Sequence, residues 1–287
     1  MSKYRQLIVA VLGHVDSGKT TLLDYIRKTR VALREPGQIT QHVGCSEVPA
    51  DVLKKICEAS LRKLGIKFEI KTPGLLFIDL PGHEAFTTLR KRGGAVADMA
   101  ILVIDVLEGV QPQTDESLMI LRERKTPFVI ALNKVDKIPG WKKMPGVSIL
   151  ESLEKQKPAV IQRLENYTYK VVRQLSERGF IAERFDRITD FTRNFAIVPI
   201  SAKTGEGVSD LLAVLIGLAQ KYMLDKLEIR EERGIGTVLE VKKDPRWGTH
   251  INAIIYDGEI RKGDKIVTAG LDGAIAVSYT HLRAHET

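Results

Sequence analysis

The sequence predicts an α/β fold, a mostly parallel sheet flanked by helices, followed by a partial antiparallel β-barrel domain. Three observations predict it. Continuous apolar runs at residues 7–12, 99–106, 128–132 and 195–200 alternate with segments of helical spacing, as strands buried on both faces of a parallel sheet do. The first run enters a glycine-bounded loop, Gly13-His14-Val15-Asp16-Ser17-Gly18-Lys19-Thr20, and that loop leads into helix-spaced residues 21–26. Beyond Glu228 the pattern changes to short strands at 236–241, 251–256 and 264–268, with Asp257-Gly258 and Lys262-Gly263-Asp264 as turns.

At 287 residues the chain can hold one large and one small domain, with bulk enough to bury a core. Hydrophobic residues at 44% and charged residues at 28% are the proportions of an ordinary soluble protein. The longest apolar runs, such as 211–219, fall far short of the ~20 residues of a membrane span, so no membrane partner is expected. Residues 7–12 end in the glycine-bounded loop rather than at a small-residue cleavage site, which argues against an export signal. Cys45 and Cys57 make neither metal-ligand spacing nor a disulfide framework, and a reducing, cytoplasmic setting is expected. A formal net charge of +8 tilts the surface toward anionic partners such as RNA, but the excess is scattered and does not by itself establish one.

In chain order, 30–44 is polar and turn-rich and reads as a loop, and 52–64 reads as a helix. Two strands at 68–70 and 75–78 are expected to be joined by the turn Thr72-Pro73-Gly74. Helices are expected at 85–97, which carries Arg90-Lys91-Arg92, and at 117–124. An insertion at about 137–194 is rich in both charge signs, largely helical over 149–183, and reads as an exposed elaboration. A helix at 209–225 closes the first domain, giving boundaries of 1–226 for that domain and 227–276 for the opening of the barrel. Residues 277–287 neither alternate nor close a strand and read as an unrelated tail.

The loop at 13–20 fits G-x-x-x-x-G-K-[ST] in the strand–loop–helix context that such a match requires. A phosphate chain must be met by many donors at once, and successive backbone N–H groups at a helix N-terminus supply them. Gly13 and Gly18 curve the loop, Asp16, Ser17, Gly18, Thr20 and Thr21 line it, Lys19 reaches the terminal phosphates, and the Thr20 hydroxyl ligates Mg²⁺. At 79–84, Asp79-Leu80-Pro81-Gly82-His83-Glu84 follows a buried strand. Asp79 is placed to hold Mg²⁺ through a water, and the Gly82 N–H to sense the last phosphate.

Base identity comes from Asn133-Lys134-Val135-Asp136. The Asp136 carboxylate accepts from N1–H and the exocyclic amine of guanine together, whereas adenine offers an acceptor at N1. Asn133 braces the loops, Lys134 covers the base with its stem, and the turn Ser201-Ala202-Lys203 adds a backbone donor to the guanine oxygen. The pattern is therefore that of a P-loop GTPase domain binding GTP or GDP. For hydrolysis, His83 holds the attacking water, and Thr40 is the candidate to close on Mg²⁺ while the γ-phosphate is present, which makes a two-state switch. His14, His42 and His250 belong to no constellation. A nucleotide-sensing module without turnover stays open, whereas a P-loop kinase has no use for Asn133-Lys134-Val135-Asp136.

These three motifs resemble those of the translational GTPases. More narrowly, Ile39-Thr40-Gln41-His42-Val43-Gly44, the stretch from His83 to Gly93 and Ile138-Pro139-Gly140-Trp141 resemble the archaeal and eukaryotic branch of the initiation factor two family, the subunit-joining factors. The resemblance covers Arg5 to about Gly273 and implies GTP-dependent joining of the large ribosomal subunit to a small subunit carrying initiator tRNA, with ribosome-triggered hydrolysis. Its implied partners are both ribosomal subunits and rRNA, its implied state a monomer. By motif it assigns Lys19, Thr20, Thr40, Gly82 and His83 to phosphate, Mg²⁺ and water, Asp16 also to a monovalent cation, and Val15 and Ile39 to an apolar gate beside His83. Gln38 and Leu80 depart from the family pattern at two loop positions. The family continues past its first barrel into modules that contact initiator tRNA, so tRNA contact is expected only through those modules. An elongation or tRNA-delivery factor of the same GTPase class is the alternative.

Overall fold

The computed structural model describes residues 3–33, 45–63, 70–78, 97–230, 233–244, 248–270 and 273–278. The chain divides into two compact units, Met1–Glu228 and Ile229–Thr287. In the first, seven strands among the described residues form one sheet: β1 (Leu7–Gly13), β2 (Cys45–Pro49), β3 (Gly74–Ile78), β4 (Met99–Asp105), β5 (Phe128–Asn133), β6 (Ala182–Arg184) and β7 (Phe195–Pro199), in the order β2-β3-β1-β4-β5-β7-β6. All neighbours are parallel except the edge pair β2/β3. The helices among the described residues are α1 (Lys19–Leu33), α2 (Ala50–Lys63), α3 (Pro112–Arg124), α4 (Ile149–Glu154), α5 (Pro158–Ser176), α6 (Val208–Tyr222) and the short α7 (Leu224–Leu227).

The apolar runs become the centre of this sheet. Every residue of β4 and β5 is buried, which is why neither run shows a polar alternation. A forked ion pair fastens one end: the Arg5 guanidinium donates to both Asp98 oxygens at 2.6 and 2.8 Å, and Asp98 also accepts from the Ile8 amide at 2.9 Å. The fork therefore ties the start of β1 to the entry of β4. Helix α3 begins at Pro112, five residues ahead of the expected start, because proline's missing N–H costs nothing in a first helical turn.

Three expectations are corrected. The strand at 75–78 forms, but its antiparallel partner is β2, which precedes α2 and carries no period-2 signal in five residues ending in Pro49. Ile70 is in no strand, and 68–69 lie outside the described residues, as does the helix expected at 85–97 apart from Ala97. The stretch expected to be largely helical, 149–183, is so, in two helices broken ahead of Pro158, but it ends in β6, which adds an edge strand parallel to β7. In the second unit, β8 (Ile235–Asp244) and β9 (Gly248–Asp257) pair antiparallel, as do β10 (Lys265–Gly270) and β11 (Gly273–Ser278). Val277 and Ser278, expected to lie in an unrelated tail, pair with Ile266 and Lys265. Residues 279–287 lie outside the described residues.

The insertion is not merely an exposed elaboration. Leu164, Val171, Leu175, Phe180 and Phe185 belong to the buried core. Phe180 meets Phe128 and Phe195 edge-on at centroid distances of 5.7 and 5.5 Å, and the Arg122 guanidinium lies 4.6 Å from the Phe180 ring centre. Charged residues close the far side, where Arg184 binds Asp186 and Glu165, and Arg187 binds Glu165 at 2.6 Å. Phe180→Ala should lower the unfolding free energy by about 3–5 kcal/mol in urea titration, the cost of emptying a packed aromatic site, whereas a surface elaboration would lose about 0.5 kcal/mol or less.

Candidate nucleotide site

The glycine-bounded loop follows β1 and opens α1, at the carboxyl edge of the parallel strands, where open α/β sheets take ligands. Gly13 has φ +141° and Gly18 φ +98°, backbone conformations that disfavour side chains. Space excludes them as well. A Cβ on Gly13 would overlap the Val103 carbonyl oxygen, and one on Gly18 the Asn133 side-chain nitrogen. Asp16 also takes a left-handed conformation, φ +60°, which aspartate tolerates better than most residues. The first turn of α1 holds no acidic side chain, so its orphan N–H groups face no competing carboxylate there.

The Lys19 ammonium folds back over the loop and donates to the carbonyl oxygens of Gly13 at 2.9 Å and His14 at 2.6 Å. Burial holds that ammonium below the ordinary lysine value, with the Asp16 carboxylate opposing the shift. A half-buried cation whose hydrogen bonds go to neutral carbonyls is a place where an anion is favoured. Ser17 is 1% exposed, and its Oγ has no hydrogen-bond partner among the described residues, an orphaned buried polar atom inside the phosphate loop. Thr20 and Thr21 are exposed on the first turn of α1. Val15 is 55% exposed, its N–H bound to the Gln113 side chain at 2.9 Å.

Two further loops converge on this one. From the end of β5, the Asn133 carboxamide donates from Nδ2 to the Ser17 carbonyl at 2.8 Å and accepts at Oδ1 from the Ala202 amide at 2.9 Å. Asn133 is 1% exposed. The same β5 turn presents Asp136, whose Oδ1 accepts from the Ser201 hydroxyl at 2.7 Å, and the Ser201 Oγ in turn accepts from the Thr204 amide at 3.2 Å. Lys203 is exposed beside the buried Ser201 and Ala202. Residues far apart in the chain are thus joined around one crevice: Ser17, Gly18 and Lys19 with Asn133, Lys134 and Asp136, and both with Ser201 and Ala202.

Two contacts were not anticipated. Lys134 sits in the left-handed region at φ +71°, and its ammonium pairs with Asp105 Oδ2 at 2.6 Å, so Asp105 aims the lysine stem. A lone carboxylate at the end of the apolar run 99–106 was the available signal. The Ala202 N–H, the donor next to Ser201 in that turn, is engaged by Asn133 Oδ1 at 2.9 Å. Thr40, Asp79, Gly82 and His83 lie outside the described residues, as do Ile39, Gln38 and Leu80. Among the described residues no group of three or more His, Cys, Asp or Glu could hold a metal ion. The exposed Thr20 hydroxyl is the donor among the described residues that a phosphate-bound cation could take up, and a hard oxygen ligand of that kind fits Mg²⁺.

The parallel sheet, the phosphate loop and the two turns bound to it define a P-loop GTPase fold. Residues 4–221 match the Elongation factor Tu GTP binding domain, and the chain belongs to that family. It is 57% identical to a probable translation initiation factor IF-2 of Staphylothermus marinus over 291 residues, 98% of this chain and 48% of that protein. A protein of the same name from Ignicoccus hospitalis is 58% identical over 273 residues, 95% of this chain and 45% of that one. Among solved structures, GDP-bound aIF5B from Aeropyrum pernix superposes with a TM-score of 0.90 at 53% identity, covering 96% of this chain and 46% of that one. The apo elongation factor SelB of Methanococcus maripaludis, at 22% identity and a TM-score of 0.58, shares the fold. The chain spans about half the length of these relatives.

Asn133→Ala should strand the Ser17 carbonyl and the Ala202 amide together, at about 1–3 kcal/mol for each stranded group. The expected outcome is a matching drop in the urea-derived unfolding free energy of the nucleotide-free chain, and a loss below about 1 kcal/mol would mean that the loops are held by other contacts.

Proposed function

We propose that this chain is the GTP-binding and GTP-hydrolysing part of a translation initiation factor that promotes ribosomal subunit joining with initiator tRNA. The observation that carries the reading is the Asn133 carboxamide, which joins a phosphate-binding loop to a guanine-type turn in one crevice. The names of the similar proteins support the initiation step, and the GDP-bound state of the aIF5B structure supports the nucleotide. We assign residues 1–226 to the GTP-binding domain with its insertion, and residues 227–276 to the start of the barrel.

Asp16, Ser17, Gly18, Lys19, Thr20 and Thr21 meet the phosphates, and Asn133, Lys134, Asp136, Ser201, Ala202 and Lys203 meet the guanosine. Ser201 steadies Asp136 through Oδ1, and the carboxylate turns both oxygens to the two guanine donors, Oδ1 keeping a second lone pair. Lys19 exchanges its two carbonyl contacts for phosphate oxygens, trading neutral acceptors for charged ones. Thr20, Thr40 and, by way of a water, Asp79 would hold Mg²⁺, which would supply neutralising charge at the phosphates. His83 orients the attacking water, the Gly82 N–H registers the γ-phosphate, and Asp16 takes part in binding a monovalent cation. Hydrolysis is stimulated by the ribosome, both subunits and rRNA are partners, initiator tRNA is met through modules outside this chain, and the protein acts as a cytoplasmic monomer.

Asp136→Asn should weaken GDP about a hundredfold or more and gain xanthosine diphosphate, since an amide donates where the carboxylate accepted. Competition titration against labelled GDP reads this directly, and an unchanged base preference would remove the guanine assignment. His83→Ala should keep GTP affinity and lose ribosome-stimulated turnover in single-turnover assays. Equal stimulated rates in the two proteins would assign His83 to packing.

A further inference from the structure

A buried carboxylate that the nucleotide reading does not use lies under the guanine-facing turn. Glu206 is 0% exposed. Its Oε1 accepts from the Trp141 indole N–H at 3.0 Å and the Ser152 hydroxyl at 2.9 Å, and its Oε2 accepts from the Thr204 hydroxyl at 2.6 Å. Trp141 and Ser152 belong to the insertion, whereas Thr204 belongs to the turn. The three donors are neutral and directional. A carboxylate taken fully out of water is tolerated only where such donors satisfy it, so these groups hold one another in register.

The main chain repeats the connection. Ser201 N donates to the Glu206 carbonyl at 2.9 Å, Gly146 N to the Thr204 carbonyl at 3.0 Å, and Gly207 N to the Val147 carbonyl at 3.0 Å. Gln156 holds the insertion side in shape, accepting from Lys142 N at 2.8 Å, donating to the Lys142 carbonyl at 2.8 Å, and donating to Ser152 Oγ at 3.3 Å. In the first turn of α6, the buried Asp210 accepts from the Ser148 hydroxyl at 2.9 Å and the Ile149 amide at 2.6 Å, fastening the start of α4. A continuous series of bonds therefore runs from Trp141 and Ser152 through Glu206 to Thr204, from Thr204 to Ser201, and from Ser201 to Asp136.

We propose that Glu206 is a positioning residue through which Trp141 and Ser152 of the insertion set the turn at 201–204, making the insertion part of the guanine-selecting apparatus. This rests on the guanine reading of Asp136. Loosening the turn releases Ser201 from Asp136, and the carboxylate that distinguishes the C2 amine of guanine from the C2 carbonyl of xanthine loses its fixed aim.

The test is the ratio of affinities for GDP and xanthosine diphosphate, measured by calorimetry on the 287-residue chain, together with its melting temperature. Trp141→Phe combined with Ser152→Ala keeps the ring packing and removes two of the three donors, and should lower the ratio about tenfold. Glu206→Ala should lower it further, and Glu206→Gln, which keeps an acceptor toward Trp141, should restore it to within about twofold of wild type. A role in stability alone would lower the melting temperature and leave the ratio unchanged. Should Glu206→Ala fail to fold, the Trp141/Ser152 pair carries the test. A selective wild type whose folded variants keep its ratio overturns this inference alone, whereas a wild type indifferent to the base overturns the guanine reading and this inference with it.

Discussion

One side-chain amide holds the site together. Asn133 is almost wholly buried, donates to the phosphate loop and accepts from the turn after β7. A buried carboxamide without partners is costly, so the three loops must meet in a single arrangement or the fold loses stability at its centre. The sheet supplies that arrangement. In the parallel register Asp105 lies opposite Asn133, which brings the carboxylate of one strand end beside the loop of the next and lets Lys134 pair with it. The same amide explains Gly18, since any side chain there would occupy the space of its nitrogen.

Buried carboxylates play a second organising part. Asp210 is held above the ordinary aspartate value by burial, against the opposing pull of the Ile149 amide and the Ser148 and Ser60 hydroxyls. Burial is also the main cause that pushes the Cys57 thiol up to about 12, with Asp210 adding to it, so Cys57 is an inert filler of the α2/α6 contact rather than a reactive group. Helix α2, lying between β2 and β3 in the chain, is bound to α6 by the Ser60–Ser209 hydrogen bond at 2.8 Å. Polar contacts of this kind are directional where apolar packing is not, and here they join α2, α6 and the start of α4.

Much of the first unit was legible because its strands are buried on both faces and its loops carry few residue types that could serve. Runs such as 99–105 leave no ambiguity of period, and a phosphate loop needs glycine where φ is positive and lysine where phosphate charge must be met. The edges of the sheet were less legible. Strand β2 has five residues and no alternation, and β6 has three, so each exists because a neighbouring strand offers it a ladder of hydrogen bonds. Likewise the mixed charges of the insertion suggested a solvated surface, while one face of α5 carries Val160, Leu164, Val171 and Leu175 into the core.

The order of residues alone determined the buried parallel strands, the conformation of the phosphate loop and the chemistry able to select a base, because each of these depends on local period, permitted backbone angles or the donors of a single side chain. Tertiary structure decided the rest: that β2 pairs with β3, that Asp105 holds Lys134, that Asn133 engages the Ala202 amide, and that Trp141 reaches Glu206 across 65 positions of chain. Those are pairings between groups distant in sequence, each with many possible partners in an extended chain. Only the enclosure of polar groups away from water makes one partner obligatory.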